Sequence, residues 1–311
     1  MKKEVRVFSP ATVANVNCGF DLLGFAIQGI GDEMILRKTS KKGEVSIKTI
    51  HGATLPLEPE RNVAGVAARA MLQATQAPFG VELELYKNIQ TGSGIGSSAA
   101  SAAGAVVGIN QFLDQPVDRL ELTRWAMKGE AVASGNEHAD NVAPSIYGGI
   151  TLICSYEPLQ IIQLPVPEAL YVTVIHPQIK IETKAARAKL PESVPLKKAI
   201  RQSGHLAGFV SALYTSDYEL MKSTAQDILI EPHRKSSIPE FDRLRKEALD
   251  QGALVFGISG SGPSIFALSK GNETAINVEY KLKSIIQSLD LDVQSYSGKI
   301  CTQGSYICSH S

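Results

Sequence analysis

Residues 90–103 read QTGSGIGSSAASAA, and this stretch is the most informative part of the chain. Three alternating glycines precede its two adjacent serines, namely Gly92, Gly94 and Gly96. Glycine allows positive φ and a close approach of the backbone to a ligand, and the free N–H groups and dipole at a helix start favour an anion. We therefore predict a phosphate-binding loop that leads into a helix at 97–113. A flexible turn with capping serines is the alternative.

The spacing of this loop excludes other glycine-rich motifs. No lysine precedes the serines, so the loop is not an ordinary P-loop. Its G-x-G-x-G spacing differs from the G-x-G-x-x-G fingerprint, which disfavours a Rossmann-type redox protein. The chain has no G-x-S-x-G elbow of a serine hydrolase. Five alanines between 99 and 105 predict that the following helix packs closely against a neighbour.

The composition is that of an ordinary globular protein. The chain has 311 residues, of which 44% are hydrophobic and 20% are charged. Its 31 basic and 31 acidic residues cancel, so the overall charge gives no sign of a nucleic-acid or anionic-membrane partner. No segment approaches the roughly 18 apolar residues of a membrane span, and the N-terminus lacks the apolar core of a signal peptide. We expect a cytoplasmic protein that binds neither nucleic acid nor membrane.

The cysteines give no sign of a metal site. None of the four forms a C-x-x-C pair, and the six histidines are scattered, so no zinc pattern is present. We interpret them as free thiols of a protein in a reducing compartment, at Cys18, Cys154, Cys301 and Cys308.

Apolar periodicity predicts alternating strands and helices in the first half of the chain. Strands are indicated near Val5 and Val7 and at 34–36, 45–50 and 81–85, and helices at 62–76, 97–113 and 118–133. Residues 145–153 indicate a turn followed by a strand. Three prolines between Tyr156 and Pro167 favour a domain boundary, so we predict domains over 1–160 and 161–311.

The second half shows its own pattern. Strands are indicated at 170–175, 253–258, 264–268 and 293–297, and helices at 196–214, 238–251 and 274–288. This arrangement is typical of an α+β sandwich with a mainly antiparallel sheet. A second glycine–serine turn, GISGSGPS at 257–264, joins two of the strands. Alone it is an ordinary hairpin connection, but two such loops in different domains indicate a ligand held between them.

Two further segments make the pattern specific. The N-terminal region carries Pro10-Ala11-Thr12, then Asn15, then Gly19-Phe20-Asp21, and residues 134–149 read SGNEHADNVAPSIYGG. Together with the two glycine–serine loops, and in the same order, these segments resemble the GHMP kinases, a superfamily of small-molecule kinases. Within it the chain is most similar to the homoserine kinase family.

This resemblance implies an α+β, two-domain GHMP kinase fold. The N-terminal ATP-binding domain would resemble domain 2 of ribosomal protein S5, and the C-terminal domain would be a ferredoxin-like α/β sandwich. The implied activity is that of an ATP:L-homoserine O-phosphotransferase, which converts ATP and L-homoserine to ADP and O-phospho-L-homoserine in threonine biosynthesis. A homodimer is implied as well, although no heptad or other interface pattern supports it.

The resemblance also implies the nucleotide site. ATP would contact Asn62, Val63, Gly92, Ser93, Gly94, Ile95, Gly96, Ser97 and Ser98. Ser98 and Glu130 would hold Mg²⁺, which prefers one or two protein oxygens together with phosphate and water. Asn62 is also an ordinary helix cap, and a lone Glu130 would be interpreted as a solvated carboxylate.

The acceptor site must recognise both ends of an amino acid. By resemblance, Asn15 and Asp21 hold the ammonium group. Arg187 and Arg234 hold the carboxylate, because a guanidinium fork binds it bidentately. The remaining implied contacts are His138, Thr183 and Gly260. A turn aspartate and surface arginines are the ordinary alternatives.

The catalytic step depends on two neighbouring residues in this interpretation. By resemblance, Asn141 faces the acceptor hydroxyl, which a neutral amide can orient but cannot deprotonate. Our hypothesis is positioning with electrostatic stabilisation and a late proton transfer to the γ-phosphate, with Asp140 as the fallback base. Two other functions stay open: a kinase for mevalonate or another small alcohol, and a non-catalytic nucleotide or metabolite sensor.

Overall fold

The computed structural model describes residues 3–181 and 183–308, without the side chains of residues 134 and 183–185. The chain forms two β-sheets, each covered by helices. Within these ranges, no helix combines the length and apolarity that crossing a membrane requires. All four cysteines are free thiols, and Cys154 is exposed.

The first sheet has seven strands. They are β1 (Glu4–Ala14), β2 (Leu23–Thr39), β3 (Val45–His51), β4 (Gly80–Tyr86), β5 (Ile150–Tyr156), β6 (Leu159–Leu164) and the C-terminal β11 (Tyr306–Ile307). The order is β11-β1-β2-β4-β3, with β5 beside the start of β2 and β6 beside β5. All pairs are antiparallel except that of β3 with β4. The associated helices are α1 (Val63–Ala74), α2 (Ser97–Asn110), α3 (Arg119–Ser134) and α4 (Val142–Tyr147).

Small residues bring α2 close to this sheet. The five alanines between 99 and 105 are each at most 1% exposed, which confirms the predicted close packing. A Cβ at Gly108 would collide with the Leu36 side chain on β2. Since close packing resists displacement, the start of α2 is held firmly by the sheet.

The second sheet has four antiparallel strands. They are β7 (Leu170–Pro177), β8 (Ala253–Ile258), β9 (Ile265–Lys270) and β10 (Val293–Lys299), in the order β10-β7-β9-β8. One face packs against α9 (Phe241–Asp250) and α10 (Asn272–Gln287), and the other against α6 (Leu196–Thr215) and α7 (Tyr218–Thr224). Two short helices in the connections are α5 (Thr183–Ala188) and α8 (Glu231–Arg234).

The two sheets share a core. Phe25 on β2 and Phe266 on β9 meet edge to face with ring centroids 5.8 Å apart. The boundary predicted between 160 and 161 falls inside β6, and the sheets separate between Leu164 and Leu170. The chain later returns to the first sheet through β11.

Some local predictions were wrong. Residues 145–147 are helical rather than a turn, because Pro144 lies in the first turn of α4, where proline is tolerated, and Gly148 ends the helix at φ 74°. The proline-rich segment contains strand β6, which the local sequence did not indicate. Its backbone pairing with β5 stabilises this strand. Helix α7 was not predicted.

Candidate active site

A cleft of about 450 Å³ is lined by residues from both halves of the chain. The predicted site residues all line it except Ile95 and Thr183. The Ile95 side chain is buried in the core, so this residue offers the loop only its backbone. The side chain of Thr183 lies outside the described residues.

The first glycine loop has the backbone that its sequence predicts. Gly92, Gly94 and Gly96 adopt φ of 78°, 84° and 71°, in the left-handed region that favours glycine. A Cβ at Gly96 would also collide with Oγ1 of Thr12. Helix α2 begins directly after Gly96, and its first residues, Ser97 and Ser98, line the cleft. Such a helix start suits a phosphate group.

The two glycine–serine turns touch each other. Ser259 Oγ donates to Gly94 O at 2.7 Å, and Ser264 N donates to Ser93 O at 3.2 Å. A Cβ at Gly94 would lie 2.7 Å from Gly262 O. Hydrogen bonds therefore join the two loops at this point, and the cleft that residues of both loops line, among them Gly92 and Gly260, lies beside the contact.

Ser98 and Glu130 form an oxygen pair at the start of α2. Ser98 Oγ donates to Glu130 Oε1 at 3.0 Å. Burial raises the pKa of Glu130 to about 7, against the opposing effects of Ser98 and Lys87. A hydroxyl and a carboxylate are hard oxygen donors that fit Mg²⁺. The described side chains include no group of three or more His, Cys, Asp or Glu that could hold a metal ion, so a cation here would need phosphate and water oxygens as well.

A buried ion pair next to the start of α2 was not predicted from the sequence. Lys87 Nζ contacts Asp32, and it also donates to Ser97 O at 2.7 Å and to Ser101 Oγ at 2.8 Å. Asp32 Oδ1 accepts from the backbone N–H groups of Asn88 and Ile89, each at 2.8 Å. Lys87 lines the cleft, but Asp32 balances its charge, so its contribution here is to hold the start of α2 through Ser97 O. In the sequence, the only indication of this ion pair is a lysine directly after strand β4.

The other end of the cleft carries one carboxylate and two guanidinium groups. Arg187 Nη2 lies 2.7 Å from Asp21 Oδ2. Arg234 is 6% exposed and donates from Nη1 to Gly260 O at 2.7 Å. Both guanidinium groups lie over the ring of Phe20, at 5.6 and 5.0 Å from its centroid. This end can therefore bind a zwitterion, because it offers both signs of charge within one recess.

Two predicted acceptor contacts, Asn15 and His138, lie beside Asp21 in the structure. The Asn15 amide accepts from Asp21 N at 3.1 Å and donates to Gly260 O at 2.9 Å, so it holds Asp21 to the second glycine turn. His138 Nδ1 lies 3.9 Å from Asp21 Oδ2, and burial lowers the pKa of His138. Its ring is therefore neutral near pH 7 and can exchange hydrogen bonds without adding charge.

Asn141 and Asp140 lie between the two ends. Asn141 Oδ1 accepts from Thr12 Oγ1 at 2.7 Å, which leaves the Nδ2 group as a donor for a hydroxyl oxygen in the cleft. Thr12 belongs to the N-terminal motif, and the sequence alone indicated no role for it. Asp140 is 5% exposed. Burial, with smaller contributions from Asp21 and Glu130, raises the pKa of Asp140 to about 7.

The raised pKa of Asp140 predicts a pH-dependent stability. The folded protein retains a proton that the unfolded chain releases near pH 3.8, so stability is lost as the pH rises from about 4 to about 7. The stability gain of Asp140→Asn over the wild type should grow across this window by up to about 1.4 kcal/mol per pH unit. Urea unfolding at several pH values measures it, with the exposed Asp290→Asn as control. A gain that does not change with pH would contradict the assignment.

Asn62 and Val63 form the wall beside the glycine loop. Asn62 is the N-cap of α1: its Oδ1 accepts from Ala64 N at 3.0 Å, and its Nδ2 donates to Pro56 O at 2.9 Å. The ordinary capping role is therefore present. Together with Leu55 and Pro56, the two residues give this end of the cleft a partly apolar surface, which suits a planar base.

Two family models and several known proteins match this chain. Residues 62–149 match the family model described as GHMP kinases N terminal domain, and residues 209–286 match GHMP kinases C terminal. Over 98% of its length the chain is 42% identical to a homoserine kinase of Chlorobium phaeobacteroides (strain DSM 266), 99% of which is covered. A homoserine kinase of Xanthomonas campestris pv. campestris (strain B100) is 40% identical over 94% of this chain and 91% of its own length.

Solved structures show the same similarity. The crystal structure of homoserine kinase from Cytophaga hutchinsonii superposes with a TM-score of 0.95 at 44% identity and covers 99% of this chain and 98% of that one. Mevalonate kinase of L. major has a TM-score of 0.69 at 15% identity, over 96% of this chain and 98% of that one. The second similarity shows a shared fold alone.

Proposed function

The chain belongs to the homoserine kinase family of the GHMP kinases, and from this membership we propose that it transfers the γ-phosphoryl group of ATP to the side-chain hydroxyl of L-homoserine. The family similarity confirms the predicted two-domain α+β fold and the predicted activity. One observation carries the proposed use of the cleft: an anion-binding helix start with Ser98 and Glu130 lies at one end, and Asp21 with two arginines lies at the other.

The nucleotide end binds ATP in this proposal. The backbone of residues 92–98 holds the phosphates, and the adenosine lies along Asn62 and Val63. Ser98 and Glu130 would hold Mg²⁺, which when bound would neutralise phosphate charge. The 3.0 Å separation of their oxygens supports this use of the pair.

The acceptor end binds the amino-acid part of homoserine. Its carboxylate binds the guanidinium groups of Arg187 and Arg234, and its ammonium group binds the carboxylate of Asp21. Arg187 pairs with Asp21 at 2.7 Å. A zwitterion that binds to both residues would exchange this one ion pair for two. This exchange favours a substrate that carries both charges over one that carries only one.

The reaction then needs little from the protein beyond alignment. Asn141 Nδ2 donates to the homoserine hydroxyl, whose oxygen attacks the γ-phosphorus. The bond from the γ-phosphorus to the bridging oxygen breaks, ADP leaves, and the hydroxyl proton passes late to a phosphoryl oxygen. Thr12 supports this role because its hydrogen bond, at 2.7 Å, sets which end of the Asn141 amide faces the cleft. Phosphoryl transfer depends mainly on such positioning and on charge stabilisation.

We also propose the cellular context that the family implies. The protein acts in the cytoplasm as a homodimer, in the threonine branch of amino-acid biosynthesis. Gel filtration with light scattering, together with fractionation of the source cells, tests these points separately from the activity.

A coupled ADP-release assay with Mg-ATP tests the activity. We expect L-homoserine to be the preferred acceptor over L-serine, mevalonate and galactose. L-Serine is one methylene shorter, which costs about 10–200-fold in kcat/KM. Mevalonate lacks the ammonium group that Asp21 requires. A preference for mevalonate would identify a sister kinase, and ATP binding without turnover of any acceptor would indicate a sensor.

A further inference from the structure

Tyr156 joins two segments of the proposed acceptor site. Its hydroxyl donates to Asp21 O at 2.8 Å, and its oxygen accepts from Ala139 N at 3.4 Å, which is a longer and weaker bond. Ala139 directly precedes Asp140 and Asn141. One side chain therefore connects the backbone of the residue that would bind the ammonium group with the segment that would orient the hydroxyl.

Packing holds the ring of Tyr156 in place. This residue ends β5, is partly buried, and packs against a small apolar cluster. The buried members of the cluster are Met127, Ala139, Ala143, Ile153 and Leu159. Burial also raises the pKa of Tyr156, so the phenol keeps its proton near pH 7 and can donate it to Asp21 O.

The backbone of Asp21 needs external support. Its φ is 58°, in the left-handed region that is uncommon for residues other than glycine. Such a conformation persists only where the surrounding structure holds it. Asn15 Oδ1 accepts from Asp21 N at 3.1 Å, and Tyr156 donates to Asp21 O. Side chains therefore hold both backbone polar groups of Asp21, and Tyr156 supplies one of these two bonds.

The contacts of Asp21 come from two directions. Its carboxylate pairs with Arg187, and Asn15 donates to Gly260 O, so these two contacts lead to the second half of the chain. Tyr156 acts from the other direction, because β5 belongs to the first sheet. Tyr156 therefore ties Asp21 to the first sheet against the contacts with the second half.

Other contacts fix the segment that carries Asn141. Asn141 Oδ1 accepts from Thr12 Oγ1 at 2.7 Å, and Thr12 lies on β1. A Cβ at Gly24 on β2 would collide with Asp140 O, so the two backbones are in direct contact. We therefore expect Asn141 to keep its place when the Tyr156 hydroxyl is removed, whereas Asp21 shifts relative to it.

We propose that Tyr156 is a positioning residue that fixes the distance between Asp21 and Asn141, and thereby the chain length of the preferred acceptor. Tyr156 is not among the described residues that line the cleft, so it acts through Asp21. The inference rests on the proposed function, in which Asp21 binds the ammonium group and Asn141 the hydroxyl. A fixed distance favours one chain length, because a misplacement of about 1 Å can cost about 100-fold in rate.

Tyr156→Phe tests the proposal, because it removes the hydroxyl and keeps the packed ring. With L-homoserine, kcat/KM from ADP release should fall by about tenfold, as expected for the loss of one hydrogen bond, and the KM for ATP should not change. L-Serine is one methylene shorter, and L-2-amino-5-hydroxypentanoate is one methylene longer. With both, kcat/KM should change by less than about twofold, so the preference for homoserine should fall by about fivefold or more.

Tyr147→Phe is the matched control. Tyr147 ends α4 and is partly buried like Tyr156, but it lines a recess other than the cleft. Its variant should keep both activity and preference, and thermal unfolding checks that both variants fold. An equal loss with all three acceptors in Tyr156→Phe, or an unchanged preference, would overturn the proposal. A wild type that does not phosphorylate homoserine would instead refute the proposed function and remove the premise of the inference.

Amide hydrogen exchange tests the support of Asp21 without any substrate. In Tyr156→Phe, the amides of residues 15–23 should exchange about fivefold faster than in the wild type, because one of the bonds that hold the strained backbone is lost. Tyr147→Phe should exchange like the wild type. If exchange in residues 15–23 is the same in Tyr156→Phe and the wild type, Tyr156 does not hold Asp21 and the proposal is wrong, whatever the acceptor.

Discussion

Replacing Asn141 by alanine should lower kcat with L-homoserine by about 10²–10³-fold, as the loss of one well-placed hydrogen-bond donor does in other enzymes. Asn141 lines the cleft between its two ends, and its Oδ1 already accepts from Thr12. The amide is therefore oriented to donate to an acceptor hydroxyl. Because ATP contacts other residues in our proposal, the KM for ATP should change little. Steady-state kinetics of ADP release measure both quantities.

Two further variants give this prediction its controls. Asp140→Asn should keep kcat near the wild-type value, because the hypothesis does not use Asp140 as a base. Thr12→Val should have a small effect, about fivefold, since it removes one hydrogen bond worth about 1 kcal/mol that orients the amide. If Asp140→Asn abolishes turnover while Asn141→Ala retains it, the general base is Asp140 and the positioning hypothesis is wrong.

Replacing Arg187 by leucine should lower kcat/KM for L-homoserine by about 10–100-fold, within the roughly 1.5–3 kcal/mol that a hydrogen bond to a charged group contributes. The side chain is 36% exposed, so solvent screens part of its charge. The guanidinium group lies beside Asp21 and over Phe20, so it is already ordered where the substrate carboxylate would bind. Arg187→Lys keeps the charge but loses the planar fork, so an intermediate loss is expected. The KM for ATP should not change.

A substrate analogue separates substrate binding from a structural effect. In 2-amino-1,4-butanediol a hydroxymethyl group replaces the carboxylate of homoserine. If Arg187 binds that carboxylate, the wild type and Arg187→Leu should use this analogue with similar kcat/KM. An equal loss with both acceptors would show that Arg187 acts only by holding Asp21 in place.

Local sequence was sufficient for the features that depend on local chemistry. Alternating glycines predicted a backbone that few other residues adopt, and the alanines predicted a helix that packs closely on the sheet. Both features are present, at φ of 71–84° for the glycines and with the alanines at most 1% exposed. The order of the motifs indicated the family. The amide and carboxylate of the predicted acceptor site were recognised through their neighbours in the chain.

The local sequence did not predict contacts between residues that are far apart in the chain. Lys87 meets Asp32 across 55 positions, Asn141 meets Thr12 across 129, and Arg187 meets Asp21 across 166. No spacing rule connects such residues, because their proximity depends on how the strands order and how the two sheets pack. The same holds for the pKa of Asp140, which burial raises. The resemblance of short motifs to a known family thus identified a kinase, and long-range packing arranged charges, hydrogen bonds and solvent exposure into a site.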